Sequence, residues 1–160
     1  MFEILNSIDI KPLLDFYHSN EGNFVWTDFG HKGRQLGLQY LRDEDPWTSA
    51  VGSNKGREIE YTNLNPYFKD TVFEEVINTY KLKKTRLMWV NPFACYSMHR
   101  DDTARVHVPL ITNPQCYFVF QEGKVRYLPT GRVWWVDTTK HHTFVNCSEQ
   151  ARLHLVGISE

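Results

Sequence analysis

Residues 105–136 read RVHVPLITNPQCYFVFQEGKVRYLPTGRVWWV, and in them short runs of alternating apolar and polar side chains are separated by turn residues. Alternation with a period of two is typical of strands that bury one face. The pairs Glu122-Gly123 and Thr130-Gly131 are typical of tight hairpins. The same pattern continues on both sides of this segment. It predicts eight strands, at residues 86–90, 94–98, 105–110, 116–121, 124–128, 132–136, 142–146 and 152–158.

Helical signals precede these strands. Pro12 in a first turn and apolar residues at helical spacing predict a short helix from Asp9 to about Ser19. Asn65 as N-cap and Pro66 as first residue predict a second helix, whose apolar face is Val72, Phe73, Val76, Ile77 and Tyr80. Residues 22–63, rich in Gly, Asn, Asp and Trp, are expected to form an irregular wall with extended pieces at 24–26 and 36–41.

The predicted fold class is mostly β (α+β): a double-stranded β-helix, the jelly-roll or cupin-like barrel, with two or so flanking helices from the N-terminal half. The length of 160 residues fits one domain. Within it, residues 1–83 are expected to form the flanking helical and irregular part. Residues 84–160 are expected to form the barrel core with the site.

Composition and charge argue against several classes of protein. With 41% hydrophobic and 23% charged residues the chain is expected to fold, and a net charge of -1 without a basic run argues against a nucleic-acid partner. No apolar run is long enough for a membrane span and no leader is evident, so we expect a cytoplasmic protein without a membrane partner. The three cysteines contain no CxxC pair, which favours reduced thiols.

Two residues near the end of the second predicted strand have the chemistry of metal ligands. His99 and Asp101 are two apart, so their side chains point to one face of an extended chain. A third imidazole, from His141 or His142, would complete the two-histidine, one-carboxylate triad that holds Fe(II) and leaves open coordination positions. The alternative is a plain hydrogen-bonded His–Asp pair.

Arg152 begins the final predicted strand, and alternation sends it to the same face as His154. Inside a barrel a guanidinium needs an anion. Arg152 therefore predicts either a small dicarboxylate ligand, which a guanidinium binds with two parallel hydrogen bonds, or an ion pair with an inward Asp or Glu.

The ordered motifs of the carboxyl-terminal part resemble the aspartyl/asparaginyl β-hydroxylase family of Fe(II)/2-oxoglutarate oxygenases. They are similar also to those of bacterial proline 3-hydroxylase. The matching motifs, in order, are His99-Arg-Asp101, Arg105-Val-His107-Val-Pro109-Leu110, Gly131 before Val133-Trp134-Trp135-Val136-Asp137, His142 with Asn146 four later, and Arg152 ten later.

The resemblance implies a role for each matching residue. His99, Asp101 and His142 would bind iron, and the spacing to Asn146 and Arg152 selects His142 over His141. Arg152 would hold the distal carboxylate of 2-oxoglutarate, with His107 and Arg105 near its other end. From the residues alone, His107 is equally a buried barrel histidine and Arg105 an anchor for the turn after Asp101.

We therefore expect a dioxygenase that uses Fe(II), 2-oxoglutarate and dioxygen to hydroxylate an amino acid, free or in a peptide, while 2-oxoglutarate is decarboxylated to succinate. One alternative is a cupin-like module that binds a metal or small anion without redox turnover. Another is a metal-dependent cupin isomerase or dioxygenase that does not use 2-oxoglutarate. Trp26, Arg34, Gln35 and Trp47 are expected in loops that close over the mouth.

Overall fold

The computed structural model describes residues 1–52 and 57–159, which form two α-helices and thirteen strands. The helices are α1 (Lys11–Asn20) and α2 (Val72–Thr79). The strands are β1 (Phe2–Ser7), β2 (Thr27–Asp28), β3 (Gly33–Gly37), β4 (Gln39–Tyr40), β5 (Asn63–Leu64), β6 (Lys83–Val90), β7 (Ala94–Cys95), β8 (Arg105–Ile111), β9 (Cys116–Phe120), β10 (Val125–Tyr127), β11 (Arg132–Val136), β12 (His142–Asn146) and β13 (Arg152–Ile158).

Two antiparallel sheets form the barrel. The larger has the order β1-β11-β8-β13-β6-β3-β2, and the smaller has the order β10-β9-β12-β7. β4 and β5 pair separately as a short ribbon. Aromatic and aliphatic side chains from both sheets, among them Phe118, Trp134 and Phe144, fill one apolar cluster. The predicted double-stranded β-helix is confirmed, with the helices outside the larger sheet.

Alternation along the strands of the larger sheet separates its two faces. Leu153 and Leu155 of β13 belong to the cluster that contains the buried residues of α1 and α2, so this face packs under the helices. Arg152 and His154, which alternate with these leucines, are also buried but lie on the opposite face, toward the smaller sheet. The same rule sends Trp135 to the helix side and Trp134 to the barrel interior.

The predicted strands agree closely with those observed. The bounds of β11, β12 and β13 are those expected, and the strand expected at 94–98 is shorter, since it ends at Cys95. None of the helices in the two described ranges is long and apolar enough to cross a membrane.

The second predicted helix is two elements. Residues Pro66–Phe68 form a short 3₁₀ turn capped by Asn65, whose side-chain oxygen accepts a hydrogen bond from Tyr67 N at 3.1 Å. The chain then turns at Asp70, which has a φ of 57°, before α2 begins. A left-handed residue cannot continue a right-handed helix, so the cap signal and the apolar face belong to separate elements.

The N-terminal part contributes more to the barrel than its sequence indicates. β1 pairs with β11, and β3 pairs with β6, so both are strands of the larger sheet. Leu36 and Leu38, in the segment expected to form an irregular wall, are fully buried in the core. Most side chains of β1 are exposed, which explains why no apolar alternation marks that strand.

Candidate metal centre and its cavity

A two-residue bridge joins the segment after β7 to the start of β12. His99 N donates to His142 O at 2.9 Å, and His142 N donates to His99 O at 2.8 Å. This pairing places the two imidazole rings side by side, with centroids 4.5 Å apart. Two histidines separated widely in sequence therefore meet because of backbone pairing.

Asp101 joins them from the turn that follows. Its backbone N donates to Thr138 O at 2.9 Å, and its carboxylate lies 3.2 Å from a terminal nitrogen of Arg105. One ligand atom from each of His99, Asp101 and His142 lies within 4.8 Å of the others. The donor set and its spacing fit a divalent transition metal with open positions.

The hydrogen bonds of His99 and His142 leave Nε2 of each ring free to bind a metal. His99 Nδ1 lies 2.7 Å from Ser97 O, and His142 Nδ1 lies 2.9 Å from Lys140 O. A carbonyl oxygen only accepts, so each Nδ1 carries the proton and each Nε2 keeps its lone pair for a metal. Such outer hydrogen bonds fix the tautomer and the ring orientation of histidine ligands.

The positions of His141 and His142 decide which of them can be the third metal ligand. His142 is buried, and burial lowers the pKa of its imidazole, which favours the neutral form that a metal requires. His141 is exposed and lies outside the group of three. The two-histidine, one-carboxylate arrangement is therefore formed with His142.

The three residues lie at the edge of a cavity of about 390 Å³ between the two sheets. Apolar side chains form part of its wall, and several buried charged groups form the rest. The residues that line it and carry the following argument are Glu58, Lys84, Arg86, Arg105, His107 and Arg152.

Arg152 is a buried cation without a carboxylate partner. Its side chain is 2% exposed, and no ion pair joins it to any residue in the described ranges. The guanidinium lies 3.8 Å from the centroid of the Phe144 ring, and its Nε has no hydrogen-bond partner among the described residues. Burial lowers the pKa of Arg152 to about 9, so it remains charged at pH 7. The alternative of an internal ion pair is absent from the described part of the chain.

The neighbour of Arg152 is a neutral acceptor. Arg152 Nη2 donates to His154 Nδ1 at 2.6 Å, and His154 Nδ1 lies 3.4 Å from His107 Nδ1. Burial, followed by the charge of Arg152, lowers the pKa of both His107 and His154 well below the usual range. Neutral imidazoles orient the guanidinium without cancelling its charge. The structure links His107 to the Arg152 end of the cavity through His154.

Arg105 is held in a network of buried charges. Glu58, 6% exposed, accepts hydrogen bonds from Arg105 at 2.7 and 2.9 Å and from Lys84 at 2.7 Å. Thr103 Oγ1 donates to the same carboxylate at 2.6 Å. Burial alone would raise the pKa of Glu58, but Arg105 and Lys84 outweigh it and lower the pKa to about 2. Arg105 thus connects Glu58 to Asp101.

Sequence reasoning missed Glu58 and Arg86. Glu58 lies in a short 3₁₀ turn and has no local pattern that marks it as buried. Arg86 is inward on β6, opposite Val156 of β13, and the alternation applied to Arg152 would have found it. Of the residues expected over the mouth, only Gln35 lines the cavity. Trp26 and Trp47 pack on the core under the helices. Arg34, next to Gln35 on β3, points to the opposite face of the sheet and stacks between Trp26 and Trp89.

Comparisons with known proteins give a family and a fold. Residues 17–157 match the family model described as aspartyl/asparaginyl β-hydroxylase. No curated protein matches the chain. An oxidoreductase of the 2OG-Fe(II) oxygenase family from Burkholderia pseudomallei is similar over 98% of this chain and 84% of its own, with a TM-score of 0.60 and 12% identity. A prolyl-4-hydroxylase from Pseudomonas putida is similar over 99% and 90%, with a TM-score of 0.52 and 12% identity. At these identities the two structures show a shared fold.

Proposed function

The chain belongs to the aspartyl/asparaginyl β-hydroxylase family, and from this premise we propose that it is an Fe(II)- and 2-oxoglutarate-dependent dioxygenase that hydroxylates an amino acid, free or in a peptide. Family membership supports a hydroxylase, and the fold is that of 2OG-Fe(II) oxygenases. The proposal adds the metal, the co-substrate and the roles of individual residues.

In this proposal His99, Asp101 and His142 hold Fe(II). Both Nε2 atoms carry lone pairs because both Nδ1 protons are used by backbone carbonyls. Arg105 keeps the Asp101 carboxylate in place from 3.2 Å. Bound Fe(II) would supply activation of dioxygen coupled to decarboxylation of 2-oxoglutarate to succinate, with one oxygen atom placed on the substrate.

The observation that carries the co-substrate assignment is the buried, unpaired guanidinium of Arg152. An isolated buried charge is costly unless a counter-charge and hydrogen bonds compensate it. A dicarboxylate that reaches into the cavity supplies both. His154 holds Arg152 from the side and leaves its charge for the ligand. His107, whose Nε2 has no partner in the described residues, lies beside this pair as a further contact for the ligand.

Apolar side chains surround the Arg152 end of the cavity, whereas His99 is exposed and Asp101 is half-buried. Phe118 and Phe144 pack against His142 and Arg152, and Met88 and Val156 add apolar surface. The burial of Arg152 strengthens its interaction with a carboxylate.

The test is an anaerobic titration of the metal-free protein, first with Fe(II) and then with 2-oxoglutarate. We expect the weak visible absorption of a keto acid chelated to iron in the wild type. Asp101→Ala should weaken Fe(II) binding by at least about tenfold. Arg152→Met should weaken 2-oxoglutarate binding by about 10- to 100-fold, the range for a charge-assisted hydrogen bond.

Arg34→Met is the matched control for Arg152→Met. Arg34 is also an arginine stacked on aromatic rings with an unpartnered Nε, but it lies outside the cavity. This variant should bind 2-oxoglutarate as the wild type does. Iron binding without the absorption band would contradict the proposal and favour a metal-binding module or a cupin enzyme that does not use 2-oxoglutarate.

A further inference from the structure

The cavity holds more buried positive charge than the co-substrate accounts for. In residues 1–52 and 57–159 its buried cations are Lys84, Arg86, Arg105 and Arg152, and its buried carboxylate is Glu58. Arg100 and Asp102, at the mouth, are exposed. Glu58 forms ion pairs with both Lys84 and Arg105. With Asp101 assigned to the metal and Arg152 to 2-oxoglutarate, Arg86 is the buried cation without an anion among the residues that the structure describes.

The hydrogen bonds of Arg86 leave one edge of its guanidinium open. Nη1 donates to the backbone oxygens of Ala50 at 3.2 Å and Gly52 at 2.9 Å, and lies 3.5 Å from Gln35 Oε1. These acceptors are neutral. Within the described ranges, Nε is buried without a partner and Nη2 makes no hydrogen bond. Nε and Nη2 together form the edge that binds a carboxylate with two parallel N–H···O bonds.

Arg86 and Arg152 mark different positions in the cavity. Val90 of β6 is opposite Arg152, and Arg86 is four residues before Val90 on the same strand. Four residues of extended chain correspond to roughly 13 Å along the strand direction. The charges around Arg86 also differ from those around Arg152. Burial, followed by repulsion from Arg105, lowers the pKa of Arg86 to about 10, against a smaller attraction to Asp101 and Glu58. An added anion would relieve this unfavourable balance.

We propose that Arg86 binds a carboxylate of the substrate, so that the enzyme acts on a small acid with a free carboxylate, such as an unblocked amino acid, rather than on a residue inside a peptide. This inference rests on the proposed function, because it takes Arg152 as the co-substrate site. Gln35, beside Arg86 on the cavity wall, positions the guanidinium. Arg86 would hold the substrate carboxylate on β6, and His99, Asp101 and His142 line the same cavity.

The test compares each standard L-amino acid with its own carboxamide as a ligand for the protein loaded anaerobically with Fe(II) and 2-oxoglutarate, using calorimetric titration. At least one acid should bind about tenfold or more tightly than its amide, as loss of a charged hydrogen-bond partner predicts. Arg86→Gln, which keeps a donor for the carbonyls of Ala50 and Gly52, should abolish that preference. Arg86→Lys, which keeps the charge, should retain part of it, and Arg34→Met should retain all of it.

Three results would overturn the inference: equal binding of acids and amides, including no binding of either; a preference unchanged in Arg86→Gln; or loss of 2-oxoglutarate affinity in Arg86→Gln as large as in Arg152→Met. The last result would place Arg86 in the co-substrate site. Failure of the wild type to bind 2-oxoglutarate would contradict the proposed function instead. The acid and amide pairs, titrated on protein with Fe(II) alone, would then still decide whether Arg86 binds a carboxylate.

Discussion

Replacement of Glu58 by Gln tests the buried charge network beside the metal centre. The substitution keeps the size of the side chain and removes the negative charge that Lys84 and Arg105 share. Both cations are almost fully buried, so neither gains water in exchange. We expect a large loss of stability, although Glu58 touches neither the three metal-site residues nor Arg152.

The magnitude follows from the pKa of Glu58. Its fall from 4.5 to about 2 corresponds to about 3 kcal/mol of preferential stabilisation of the charged form. The cost of breaking a buried ion pair by removing one partner is of similar size, about 3–5 kcal/mol. For a chain of this length a loss of about 3–5 kcal/mol lowers the melting temperature by about 6–20 °C.

The contribution of Glu58 to the free energy of unfolding should depend on pH. Because the folded-state pKa is lowered, the stabilisation is complete above pH 4.5 and is lost as the pH falls toward 2. The difference between wild type and Glu58→Gln in the free energy of unfolding should therefore shrink by about 1 kcal/mol between pH 7 and about pH 3.5.

Urea unfolding at both pH values measures these differences. Glu60→Gln is the matched control, because Glu60 lies in the same 3₁₀ turn and also pairs with an arginine, Arg57, but at the exposed surface. This control should unfold close to the wild type. Equal stabilities of the two variants, or a Glu58→Gln effect that does not change with pH, would refute the assignment of Glu58 as the anion of the buried network.

Three further predictions concern the site and its sheet. His154→Asp would pair Arg152 with a carboxylate and should weaken 2-oxoglutarate binding at least about tenfold, whereas His154→Asn should not; equal affinities in a calorimetric titration would contradict this. Metal affinity should be constant above pH 7 and fall only as the pH drops below the ordinary imidazole pKa of 6.5, because burial lowers the pKa of His142 and metal binding needs the neutral ring. An affinity independent of pH would count against histidine ligation. Gly33→Ala should cost at least about 3 kcal/mol in urea unfolding, because Gly33 has a φ of 137° and an added Cβ would lie 1.9 Å from Trp89 O; a variant as stable as wild type would show that β3 moves aside.

The barrel strands could be predicted because each carries its own evidence. In β12 buried and half-buried positions alternate, β11 is apolar after its first residue, and β13 is buried along its whole length. Turn residues bound each of them. β1 escaped detection because it is mainly exposed, so its pairing with β11 leaves no mark on its side-chain pattern. The break at Asp70 escaped for the opposite reason. The residues on both sides satisfy helix rules, and only tertiary packing sets its positive φ.

The same distinction applies to the candidate site. The inward position of Arg152 follows from a period of two, and resemblance to a family selected His142. The same period predicted that His99 and Asp101 share a face, but β7 ends at Cys95 and Asp101 is positioned by its backbone hydrogen bond to Thr138 O. Glu58 could not be found in this way. Its burial depends on Lys84 and Arg105, which come from strands distant in sequence, and a carboxylate in a turn is normally solvated. Its position in the site is a property of the fold as a whole.

The order of strands in the larger sheet also governs how the protein folds. β13 lies between β6 and β8, and its Arg152 pairs with Val90, 62 residues earlier in the chain. The sheet therefore cannot grow as a series of local hairpins, and closing such long loops costs entropy before any contact compensates it. We expect slow folding, in the range of milliseconds to seconds, limited by the insertion of β13. Until that step, the unsatisfied edges of β6 and β8 are exposed to other chains, so the strand that supplies Arg152 also protects the folding protein from aggregation.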